Sequence, residues 1–126
     1  MPAREQHLQQ ARDNLAFYQR RLTLSEAIDC QWAAVVLFYT GLHWVDAYFA
    51  ALPRPIHPAT HEIRGAWMAG DPNLAPINRH YALLEDRSKD ARYRLKLSTE
   101  AEIRRLETQA LDPLRTHVAS LLGVPL

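Results

Sequence analysis

Apolar residues recur at steps of three and four through Leu8, Ala11, Leu15, Tyr18 and Leu22, which predicts an amphipathic helix of about six turns beginning near Pro2. Arg4, Gln9, Arg12, Asp13 and Arg20 fall on its solvated side. The pattern then changes. From Trp32 to Leu52 the chain is almost unbrokenly apolar, and a helix apolar around its circumference must be covered by neighbours on several sides. Thr23 with Glu26, or Asp29 alone, can cap this central helix, and Asp29 is preferred because the apolar run begins at Trp32. Pro53, Pro55 and Pro58 end it and make PRPIHPAT a stiff connector.

Thr60 is placed to cap a short third helix, HEIRGAWMAG, with His61 and Arg64 on one side and Ile63 and Trp67 on another. Gly70, Asp71 and Pro72 stop it. Leu74, Ile77, Tyr81, Leu84 and Ser88 form the stripe of a fourth helix, in which Pro76 must occupy the first turn. Ser98, or Thr99 with Glu102 as a capping box, opens a last helix whose inward residues are Ile103, Leu106, Ala110, Leu114, Val118 and Leu121. Pro113 should kink or break that helix after Leu111, and Gly123 and Pro125 end it. No segment alternates like a half-buried strand. The expectation is all-α: one domain over residues 1–126, an up-and-down bundle of four long helices with one short helix inserted.

Composition narrows the classes. A formal net charge of +1 excludes a strongly cationic coat for nucleic acid. Cys30 stands alone, so no disulfide framework or thiolate cluster can form, and a reducing, cytoplasmic setting is expected. The central helix is long enough to span a bilayer. His43 and Asp46 near its middle make that costly, and a buried core helix is the preferred reading, without membrane contact.

Candidate chemistry follows the same helix. Tyr39, His43 and Asp46, spaced by four and three, share one face. Either Asp46 fixes the tautomer of His43 and makes it a general base with the Tyr39 hydroxyl beside it, or the three satisfy one another as buried polar groups. His57 and His61 have metal-ligand spacing for a helix, but Pro58 interrupts it and only Glu62 accompanies them, so neither metal nor cofactor is expected. His61 and Arg64 begin a helix, where free N–H groups favour an anion. Arg87–Lys96 holds five cations and one anion. Within it Arg92 and Tyr93 follow the stripe of Tyr81, Leu84 and Ser88, so they are expected to point inward, with Asp46 as the partner of Arg92. Gly41 and Gly65 suggest close helix approach. Gly-rich phosphate loops, HExxH, CxxC and nucleophile elbows are absent from the sequence.

The order W-A-A-V-V-L-F-Y-T-G-L-H-W-V-D-A-Y from Trp32, H-E-I-R from His61 and Y-A-L-L-E-D-R-S-K-D-A-R-Y from Tyr81 resembles small bacterial proteins of the HEPN superfamily, over roughly Asp13 to Tyr93. The resemblance implies a helical bundle, usually dimeric, whose relatives include RNA-cutting toxins, partners of nucleotidyltransferase-like antitoxins, and inactive members that bind nucleotides or RNA. Active members carry an Arg followed after four to six residues by a His. Arg54 and His61, with six residues between them, meet that count, although Pro55 stands where a polar residue is common.

On this basis a homodimer binding RNA or a nucleotide is expected, with His43, His61 and Arg64 as catalytic candidates for metal-independent RNA cleavage. Tyr39, Asp46, Tyr81, Ser88, Arg92 and Tyr93 complete the polar cluster. The alternative is a non-catalytic protein-interaction module whose cluster is structural. A third reading, a small-molecule pocket, would place Trp44, Trp67 and Tyr48 around an apolar cavity.

Overall fold

A computed structural model describes residues 2–126, and the described chain is a bundle of α-helices without strands. Helix α1 (Arg4–Arg21) and helix α2 (Ala27–Ala50) form an antiparallel hairpin. The side chain of Asp29 accepts from the Thr23 N–H at 2.7 Å and closes the turn between them. Asp29 is therefore in the first turn of α2, not its cap. Glu26 holds the N-cap position, and the helix begins five residues earlier than Trp32, which is 54% exposed.

Helix α2 is the centre of the molecule. Leu37, Phe38, Val45, Ala47 and Phe49 are each at most 1% exposed, and α1, α4 and α6 pack around them. By length and hydropathy α2 could cross a bilayer, but 72% of its most apolar stretch is buried inside the bundle. Gly41 permits the closest approach. A Cβ there would lie 3.2 Å from Leu84 Cδ1 and 3.7 Å from the methyls of Leu111 and Leu114.

The proline-stiffened connector leads to helix α3 (His61–Gly70), where the Thr60 hydroxyl accepts from the Ile63 N–H at 3.1 Å. Arg64 and Met68 face inward on α3, while Ile63 and Trp67 lie half-exposed. Pro76 sits in a 3₁₀ turn (Ala75–Ile77) that feeds helix α4 (Asn78–Arg92). Leu74, Ile77, Tyr81, Leu84 and Ser88 are all buried, as a stripe of helical period requires.

Helix α5 (Glu100–Leu106) starts with the full capping box of Thr99 and Glu102. It runs without a break through a π-helical turn (Glu107–Leu111) into helix α6 (Asp112–Leu122). Pro113 has no N–H to give the preceding turn, and the wider turn beside it absorbs this: the Asp112 N–H donates to the Glu107 carbonyl five residues back. The π turn also places Glu107, which accepts from Tyr18 on α1 at 2.8 Å. Gly123 closes α6 at φ 70°, a left-handed cap.

Candidate functional site: a four-histidine cleft

A cleft of about 410 Å³ opens where the first turns of α1, the middle of α2, the connector and the start of α3 converge. Four histidines line it, His7, His43, His57 and His61, together with Tyr39, Asp46, Thr60 and Arg64. Each element contributes for a local reason. On α2 the spacing of Tyr39, His43 and Asp46 aligns them. The prolines turn the chain back beside α1 and bring His57 over His7, their rings stacked at 5.6 Å and 19°. The Thr60 cap starts α3 so that His61 and Arg64 point at α2.

Asp46 and Arg64 form the electrostatic floor. Arg64 Nε donates to Asp46 Oδ1 at 2.8 Å and Nη2 to Oδ2 at 3.0 Å, a two-pronged pair with both side chains buried. This replaces the expected Asp46–Arg92 pair, because the connector delivers Arg64 to α2 before α4 is reached. Burial acts to lower the Arg64 pKa, but the hydrogen bonds and charge of Asp46 outweigh it and hold the guanidinium charged.

The predicted bond from Asp46 to His43 is also replaced. His43 Nδ1 lies 3.0 Å from Nδ1 of His7, so the two rings share one proton between them. Burial lowers the pKa of both rings, and the other histidines and Arg64 add to this against the pull of Asp46. His61 is lowered by burial first, and then by Arg64, Arg92 and Lys89. Its ring rests against Phe38 at 5.6 Å.

The remaining predicted residues divide. Arg92 stands beside the cleft rather than lining it, donating to the Tyr39 hydroxyl at 3.1 Å. Its guanidinium lies 5.7 Å from the centroid of Phe38, 5.6 Å from that of Tyr39 and 4.9 Å from that of Tyr93. Tyr93 does not point inward as expected. It ends α4 and is 72% exposed, because the helix stops before its stripe can continue. Tyr81 and Ser88 are buried on α4 beneath the cleft rather than lining it, and burial raises the Tyr81 pKa. Arg54 does not line the cleft with His61.

Sequence reasoning passed over His7. A signal was present: His7, Ala11 and Tyr18 fall on one helical face, so His7 belongs to the apolar side of α1, where it is 3% exposed. The proposed apolar cavity is only partly realised. A separate pocket of about 400 Å³ includes Trp67, with Phe49, Leu52 and Ile56, but not Trp44 or Tyr48.

Comparison with known protein families, curated proteins and solved structures gives no match. The resemblance to the HEPN superfamily therefore rests on the segments that begin at Trp32, His61 and Tyr81.

Proposed function

We propose that the cleft binds a phosphate-bearing ligand, RNA or a nucleotide, within a HEPN-like bundle in which α1, α2, α4 and the continuous α5–α6 rod are the four long helices and α3 is the insert. The observation that carries this reading is Arg92. Its guanidinium contacts the Ser88 carbonyl and the hydroxyls of Tyr39 and Tyr93, and among the described residues no carboxylate forms a salt bridge with it. A half-buried cation held over aromatic rings without a counter-charge is suited to an incoming anion. The exposed Tyr93 ring beside it offers a face on which a base can stack.

The same potential acts on His61. Arg64, Arg92 and Lys89 all disfavour its charged form, so His61 is a neutral base at the start of a helix. In RNA cleavage, His61 would take the proton of a ribose 2'-hydroxyl at Nδ1, the nitrogen that Arg64 Nη1 faces at 3.4 Å. The freed oxygen would attack the adjacent phosphorus, and the 5'-oxygen would leave with a proton from water. Arg92 would stabilise the charge gathering on the phosphate.

The test is fluorescence anisotropy with a labelled single-stranded RNA and with a labelled nucleotide, comparing wild type with Arg92→Ala. Saturable binding that the variant loses supports the reading. Absent binding of both probes removes it. Total RNA left intact, with and without EDTA, removes cleavage alone.

A second reading has its own observation. Ile28 and Trp32, one turn apart on α2, are 57% and 54% exposed. They flank Gln31, whose side chain donates to the Ala91 carbonyl at 3.0 Å and fixes this end of α2 to the end of α4. Such a surface suits a protein partner, either a second copy of the chain or a nucleotidyltransferase-like protein. Sedimentation of Trp32→Asp against wild type decides the dimer: a dimer reduced to monomer supports this surface as its interface, and the interaction module is favoured when neither RNA nor nucleotide binds.

A further inference from the structure

We propose that His7, Asp46 and His57 form a binding site for one divalent transition-metal ion, at the end of the cleft away from Arg92. One donor atom from each of the three residues lies within 4.8 Å of the others. The inference stands on these donors alone and does not depend on the phosphate reading.

His7 supplies the decisive observation. It is 3% exposed, and its Nε2 is fully buried with no hydrogen-bond partner. A buried ring nitrogen left orphaned is costly unless something binds it. Its other nitrogen, Nδ1, is 3.0 Å from His43 Nδ1. When His7 donates in that contact, the proton is on Nδ1 and the buried Nε2 lone pair is left free to bind. This is how a ligating imidazole is ordinarily oriented by a group outside the coordination sphere.

Asp46 is held in the same manner. Arg64 fixes both carboxylate oxygens at 2.8 and 3.0 Å, and each oxygen keeps a second lone pair for a metal. His57 completes the set from the connector, stacked on His7 and exposed to solvent. Donors around a tetrahedral ion sit about 3.3 Å apart at bonds of ~2.0–2.1 Å, so the three must close up on binding. His7 is buried and Asp46 is clamped, which leaves His57 as the ligand that moves.

Two imidazoles and one carboxylate select zinc, iron(II), cobalt or nickel over calcium and magnesium, which prefer oxygen donors. With three protein ligands, the remaining coordination positions face the cleft and admit water or an anion. The sequence concealed this set because His57 was paired in the chain with His61, across Pro58, whereas its partners lie 50 and 11 positions away on α1 and α2.

The experiment is isothermal titration of the EDTA-stripped, full-length protein with zinc, alongside the visible spectrum of the cobalt form. One zinc per chain and the d–d bands of low-coordinate cobalt are expected. His57→Ala, an exposed position whose loss leaves the circular-dichroism melt of the stripped protein unchanged, should weaken zinc by at least about tenfold. His61→Ala, in the same cleft but outside the donor set, should retain it. No zinc binding by wild type, or equal affinity in His57→Ala, overturns the site.

Discussion

Two groups of paired charges in this molecule show how differently the same residue types behave. In the cleft, Arg64 and Asp46 are buried and meet in two-pronged geometry, surrounded by histidines whose neutral forms are favoured. At the end of α4, Arg94 lies 2.9 Å from both Asp86 and Asp90, and Arg87 reaches the same two carboxylates at 3.2 and 3.4 Å. There the arginines stand in solvent. Water solvates the arginines and Asp86, so their pairing adds little, and the buried Asp90 is shared by two arginines, so that losing one leaves it matched. In the cleft both members are buried, so removing one leaves the other an unmatched buried charge, and the pair must be kept whole. The basic stretch that looked like one patch in the sequence is thus divided: Arg87, Lys89 and Arg94 are engaged by carboxylates, Lys96 forms no salt bridge among the described residues, and Arg92 reaches the Tyr39 hydroxyl beside the cleft.

The largest expected effect comes from breaking the buried pair. Asp46→Asn leaves Arg64 buried and unmatched and should lower stability by about 3–5 kcal/mol, read from urea unfolding. A loss much smaller than this would mean that water reaches the floor of the cleft. Crowding the helix crossing beneath it comes next. Gly41→Val drives a branched side chain into Leu84, Leu111 and Leu114, and should cost about 1–3 kcal/mol in the same assay.

Thr60→Ala removes the cap that aims α3 at the cleft, at about 1 kcal/mol. Its effect on ligand affinity should exceed its effect on melting, since His61 and Arg64 both depend on where α3 begins. At the far end of the scale, Arg94→Ala should leave the melting temperature within experimental scatter, and added salt should not change that result.

Most of the helical framework was legible in the chain. The stripe from Leu74 to Ser88 and the caps at Thr60 and Thr99 follow from local chemistry, because a helix needs one apolar side and satisfied first-turn N–H groups wherever it is packed. The rod around Pro113 was half legible: the missing donor was evident, but a π turn carries the helix through instead of ending it. The cleft was less so. Tyr39, His43, Asp46, His61 and Arg64 do converge. Which arginine meets Asp46 depends on the direction of the connector, and periodicity carries no information about that. His7 was hidden for the opposite reason, as a polar residue on an apolar face whose partner His43 lies 36 positions away.

The phosphate reading requires that Arg92, unlike the arginines beside it, is held for an anion. The most direct measurement is the dependence of RNA affinity on salt concentration for wild type, Arg92→Ala and Arg94→Ala. If Arg92 neutralises one phosphate, its removal should reduce the slope of log affinity against log salt by about 1, with the slope for Arg94→Ala unchanged. Equal slopes for wild type and Arg92→Ala would mean that Arg92 meets no phosphate.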